Sequence, residues 1–273
     1  MALQFFTTEN NFQQEYAKNP QKFDVITGKV HDNIIIGNSI KKNGQWFHPF
    51  IPGYETIVVL MKSTSRWGFI GPYELKTKDG YIFENYWQFS KVYHSTPVVD
   101  IKQYARPIWK YPATTFIDQD GNITEDYWKW RYKGYNHPVP VRYPVGIKNM
   151  KNCIYAVPEF DKTKKLNYIE SRKEIYIKKY IESLQGNLLF DELKNKFVTG
   201  TKLIITEVDG FHSKNAKFYK EKYPELVNEP LEYGLINATN RNMYLKIHEP
   251  VDPCGHAYPL ALALKGLKLD ELV

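Results

Sequence analysis

The 273 residues are 42% hydrophobic and contain no apolar run near the ~20 residues of a membrane-spanning helix, which argues against an integral membrane protein. Lysine and arginine together number 37 against 30 acidic residues, a net charge of +7 that favours anionic partners such as phosphates or nucleic acid. Two cysteines, Cys153 and Cys254, fit no metal-ligand or disulfide-framework spacing and read as reduced thiols.

The opening residues, Met1 to Phe6, run directly into Thr, Glu and Asn. They lack the basic start and long apolar stretch of a secretory signal, so a soluble cytoplasmic or intracellular protein is expected. Residues 1–50 are polar and turn-rich and read as an N-terminal extension, with 33–37 (Asn-Ile-Ile-Ile-Gly) a short strand inside it. Thr56 to Lys62 is a continuous apolar, β-branched run and predicts a buried strand. Gly68 to Tyr73 reads as a loop with two permissive glycines, and the Asp79-Gly80 turn leads into a helix around Glu84.

Prolines at 97, 107, 112, 138, 140 and 144 mark residues 97–150 as a loop-rich internal insertion. A short helix capped by Thr124 interrupts it and carries Trp128, Trp130 and Arg131, while 141–146 predicts a strand and turn. Residues 167–185 form the clearest amphipathic helix, with Tyr168, Ile169, Ile175, Tyr176, Tyr180, Ile181 and Leu184 as its apolar stripe and Gly186-Asn187 at its end. A helix over 190–197, a strand over 202–208 closed by Asp209-Gly210, a helix over 216–222, a strand over 243–247 and a helix starting at Leu260 complete the pattern. The chain reads as one α+β domain over 1–273, with an extension at 1–50 and an insertion at 97–150.

The residues with chemistry to offer begin at Glu84. On a helix, Glu84, Gln88 and Lys91 are offset by four and seven residues and share an arc of roughly 60°. A carboxylate, an amide and an amine in one column can hold a polar ligand and move protons; the same spacing also describes an ordinary solvent-facing helix side. Trp67, Trp87 and Trp128 offer faces on which a base could stack, or simply core volume. Arg66, Arg131, Arg142 and Arg172 offer bidentate forks for phosphate. Asp209 stands at a strand end beside a glycine, a functional position or a plain turn. No P-loop or Rossmann glycine pattern and no zinc or iron ligand cluster is present, so neither a metal nor a cofactor is expected.

Gly71-Pro72-Tyr73, then Phe83-Glu84, Gln88 and Lys91, stand in an order that resembles the NADAR family. The helix from Ser171 to Lys178, the segment Phe190 to Thr199-Gly200 with the following strand to Glu207, and Asp252-Pro253-Cys254-Gly255-His256 resemble later parts of the same family, with Cys254 where the family has tryptophan. The resemblance covers roughly 66–95 and 168–265. It implies a NADAR-like α+β domain and an N-glycosidase acting on ribose phosphates, either removing ADP-ribose from a base in nucleic acid or splitting a ribosylamine. Under it, Glu84, Lys91 and Asp252 are the expected catalytic residues. Gln88, Trp87, Trp67, Gly71, Tyr73, Trp128, Arg131, Arg142, Asp209, Gly255 and His256 are expected to bind a nucleotide-like or ADP-ribosylated substrate. A non-catalytic nucleotide or nucleic-acid binding module, and an enzyme of modified-base synthesis, are the alternatives.

Overall fold

The computed structural model describes residues 32–103, 106–209, 234–248 and 253–272, and its architecture is α+β. The chain divides into two compact units, one made of residues 1–74 and 184–273, the other of 75–183. The elements that position the chemistry are, in chain order, β1 (Ile34–Asn38), β2 (Tyr54–Val58), α1 (Phe83–Phe89), α2 (Glu125–Tyr135), α3 (Leu188–Val198), β3 (Lys202–Glu207), β4 (Ile236–Asn237), α4 (Asn240–His248) and α5 (Ala257–Lys265). No helix among the described residues is long and apolar enough to cross a membrane.

The first unit is built on a four-stranded sheet in the order β4-β1-β3-β2. Strand β3 runs parallel to both β1 and β2, with Ile35 opposite Ile204 and Ile205 opposite Ile57, while β4 is antiparallel to β1. The isoleucine runs of β1 and β3 are buried almost end to end, as befits parallel strands covered on both faces. Helix α5 packs on β1 and β3 and also meets α3. Residues 34–38, expected within an extension, are therefore an interior strand of this sheet. Just beyond them a hairpin joins Ile40–Lys42 to Gln45–Phe47 through Asn43 (φ 50°) and Gly44 (φ 80°), the two positive φ values that a type I′ turn requires.

Two expectations in this unit are corrected. Residues 243–247 lie in helix α4, not a strand: Met243 and Ile247 are four apart and both buried, a helical spacing that a five-residue apolar window hides. Residues 66–70 form a 3-10 turn capped by Ser65, which takes in the start of the loop expected over 68–73. Gly71 has φ −76°, and a Cβ there would lie 2.8 Å from the Val59 carbonyl oxygen, so close approach and not conformational freedom asks for glycine. The helix expected over 216–222 lies outside the described residues.

The second unit has its own aromatic core, which includes Phe89, Trp109, Phe116, Tyr127 and Trp130. Four of these five come from 97–150, so the segment expected as an insertion supplies the body of the unit. A hairpin of Val99–Gln103 with Arg106–Tyr111 and the helix α2 give it regular structure. Helix α2 crosses α1 at Gly134, whose Cα rests on the Phe89 ring with no space for a side chain. Residues 141–146 do not form a strand. The Val141 amide donates to the Asn85 side chain (2.7 Å), whose amide nitrogen in turn donates to the His137 and Val139 carbonyls (3.0 Å each), so a buried side chain replaces a partner strand.

The helix expected over 167–185 is present but not uniform. Asn167 and Glu170 form a capping box, and Arg172–Ile177 is a π-helical turn between Tyr168–Ser171 and Lys178–Leu184. The wider turn rotates the earlier residues relative to the later ones. Tyr168, expected in the apolar stripe, is 42% exposed, and Arg172 is 1% exposed with its guanidinium 4.5 Å over the Tyr168 ring.

Candidate functional site

Helix α1 has seven residues, and all but Trp87 are buried. It ends at Phe89, so Lys91 is not on the helix: it opens a two-residue strand, Lys91–Val92, paired with Tyr155–Ala156. The lysine stem nonetheless brings the ammonium back. Lys91 Nζ donates to Gln88 Oε1 at 2.8 Å, and Gln88 Nε2 donates to Glu84 Oε1 at 3.0 Å. A lysine can only donate and a carboxylate only accept, so the two ends fix the orientation of the amide between them. Glu84 is 6% and Gln88 7% exposed, which makes the column a buried polar relay and not a solvent-facing helix side.

Trp87 shapes the relay. Lys91 Nζ lies 4.5 Å from its ring centre, and the other contact is edge-on to Tyr176 at 5.0 Å, within the π turn. The cation over the indole face and the hydrogen bond to Gln88 both favour a charged ammonium at 91.

Trp128 and Arg131 are not brought to this column. Arg131 lies 4.9 Å from the ring centre of Tyr135, which stacks on Tyr86 at 5.0 Å. Tyr86 is two residues from both Glu84 and Gln88, about 200° around the helix, and so faces away from them. Arg142 is half-buried over the Tyr143 ring at 5.5 Å.

The remaining predicted residues belong to the first unit. Trp67 is 1% exposed and packs beneath Arg66, a core role. Gly71 ends the 3-10 turn, and Tyr73 is half-buried two residues later. Asp252 lies outside the described residues. His256 and Gly255 converge with Glu207, which the sequence offers only as the end of a strand and not as a site residue. This carboxyl is fully buried at the C-terminal end of β3, and His256 Nδ1 is 3.3 Å from its Oε2. Burial, and then the nearby Asp209 charge, push the Glu207 carboxyl well above the usual range; the backbone N–H groups of Ala257 and His256, at the start of α5, and the charge of Lys246 pull the other way. His256 Nε2 is 2.5 Å from the Val59 carbonyl oxygen and donates to it, which places the ring's acceptor nitrogen, Nδ1, on the side of Glu207. The pair stands at a strand end facing a helix N-terminus. The signal for it in the sequence is a glutamate closing a strand whose centre, Leu203-Ile204-Ile205, is apolar.

Known proteins add no further guide, since no family model, no curated protein and no solved structure matches this chain.

Proposed function

We propose that the protein is a hydrolase of a C1′–N glycosidic bond in a nucleotide-like or ADP-ribosylated substrate. The observation that carries this reading is the Lys91–Gln88–Glu84 hydrogen-bonded column. Cleaving a ribosyl C–N bond builds positive charge at C1′, transfers a proton to the departing nitrogen and adds water at C1′. Glu84 stabilises the developing cation, takes the proton from the attacking water and passes it to the departing nitrogen, which restores the carboxylate. Gln88 holds that carboxylate in one orientation. Lys91, kept as an ammonium, binds a phosphate of the substrate; this role suits it better than attack on C1′, which needs the free amine. The resemblance to NADAR proteins points to the same bond, and the net charge of +7 suits a polyanionic substrate such as ADP-ribosylated nucleic acid.

The test is incubation of the purified chain with ADP-ribosylated DNA, free ADP-ribosyl nucleosides and pyrimidine ribosylamine phosphates, with products read by mass spectrometry. One class should release free sugar phosphate or ADP-ribose, and Glu84→Gln should slow release by about 100-fold or more. Turnover that survives both Glu84→Gln and Lys91→Ala would remove the column from the chemistry.

A further inference from the structure

We propose a second ligand site, in the unit of residues 75–183: an aromatic cavity that binds an anionic head, phosphate or carboxylate, carried on a flat ring and anchored by Arg131. The cavity has a volume of about 370 Å³, within the size range of small-molecule sites. Its walls include Tyr81, Trp128, Tyr132 and Tyr135, and Arg131 lines it from helix α2.

Arg131 is the reason to expect an anion. It is 5% exposed, and among the described residues it forms no ion pair with a carboxylate; only the buried Tyr135 and Tyr127 hydroxyls stand beside the guanidinium as acceptors. A guanidinium out of water normally meets a carboxylate. Here its charge is met by ring faces, Trp128 at 5.5 Å and Tyr135 at 4.9 Å. The Tyr127 hydroxyl donates toward the Phe89 and Ser90 carbonyls and its oxygen accepts from the guanidinium, a neutral partner that adds no counter-charge. The guanidinium therefore stands at one wall of the cavity with phenol hydroxyls and ring faces but no counter-charge, and an oxyanion supplies one. Bidentate capture of such a group is what the guanidinium fork does best.

The mouth narrows the ligand further. Lys162 sits 5.1 Å over the Trp128 ring, so the indole lies between two cations. Glu125 and Glu159, both exposed, also line the opening. They oppose a second anionic group at the rim and accept from a donor such as a ring amine. The ligand class is thus one anionic head set deep, a flat ring against the tyrosines, and a hydrogen-bond donor outward. An amino-substituted aromatic carboxylate and a purine nucleoside monophosphate share these features.

Titration calorimetry on the full chain separates the two sources, using 4-aminobenzoate and adenosine 5′-monophosphate as probes and adenosine and inorganic phosphate as controls. At least one ring-bearing anion should bind at one site per chain, with both controls at least tenfold weaker. Arg131→Gln should weaken binding by 30-fold or more. Tyr132→Ala, at a wall residue whose side chain is largely exposed and whose loss leaves the core intact, should weaken it three- to tenfold. Glu84→Gln should bind as the wild type does, because Glu84 faces away from this cavity; failure of the glycosidase reading would leave this result standing. Binding of neither ring-bearing anion at millimolar concentration, or binding that Tyr132→Ala leaves unchanged, overturns the proposal, whether or not Arg131→Gln folds.

Discussion

Gly255 stands against the Glu207 carboxyl with no room for a side chain: a Cβ built at 255 would fall inside the carboxyl group itself. Strand β3 delivers Glu207 to this point and α5 begins two residues after the glycine, so the contact joins a strand end to a helix start. Gly255→Ala must displace either the carboxyl or the first turn of α5. Overpacking of a buried site costs about 1–3 kcal/mol, and a rigid helix start places this one at the upper end. Urea unfolding should show a lower midpoint with an unchanged slope. A variant as stable as the wild type would mean that the carboxyl is free to move aside.

The raised proton affinity of Glu207 has a sign that can be measured. A carboxyl that holds its proton more tightly when folded contributes stability that is complete below the unfolded value of about 4.5 and is lost as pH rises toward the folded value. Glu207→Gln is isosteric, is neutral at every pH, and keeps a donor for His256 Nδ1. The variant should therefore gain on the wild type as pH increases above 5, seen as a growing difference in unfolding free energy between pH 5 and 8. A difference that is flat with pH would place an ionised carboxylate at 207.

His48 works in the opposite sense. It is 7% exposed, and burial lowers its pKa from 6.5 to about 4; its Nδ1 is 2.7 Å from Ser39 Oγ, which is 2.9 Å from Thr206 Oγ1. The native state keeps the ring neutral while the unfolded chain takes up a proton near 6.5, so stability is full above that value and declines as pH falls toward 4. The shift corresponds to a loss of up to about 3 kcal/mol across the window. His48→Gln has no such proton to take up, and the stability difference between wild type and variant should shrink by that amount from pH 7 to pH 4. A parallel decline in both proteins would show that other groups drive the acid transition.

Period and punctuation made much of this fold readable. The isoleucine runs of β1 and β3, the capped helix at Thr124 and the stop at Gly186 follow from local rules, and the structure keeps them. What local rules cannot supply is partnership. Proline density made 97–150 look peripheral, yet Trp109, Phe116, Tyr127 and Trp130 fill a core there, because proline sets backbone geometry and says nothing about burial. The Asn43-Gly44 hairpin was available as a turn signal and was passed over. The column was legible from spacing, but its third member was placed on a helix that ends two residues earlier; a long flexible stem reaches the same partner from a strand. Glu207 is legible in the sequence as a strand end but not as a site, because its burial and its neighbour His256 come from packing.

Gln88 is the residue on which the proposed chemistry turns most sharply, since it hydrogen-bonds both charged ends of the column. Gln88→Met keeps the volume and the helix propensity and removes both hydrogen bonds. The carboxylate loses a donor and the ammonium loses an acceptor, so both ends should gain rotational freedom while the fold persists. Positioning of this kind commonly contributes about 10- to 100-fold in rate, and kcat/KM for the cleaved substrate should fall by that factor with most of the loss in kcat. Lys91 supplies a readout independent of turnover: its modification by acetic anhydride, followed by peptide mass spectrometry, should speed up in the variant as the amine leaves the amide oxygen. Gln88→Glu should act differently, holding Lys91 in place while setting a second carboxylate beside Glu84. Protection of Lys91 would then persist while activity drops. Equal acetylation rates in all three proteins would show that the column is a packing arrangement with no hold on either charge.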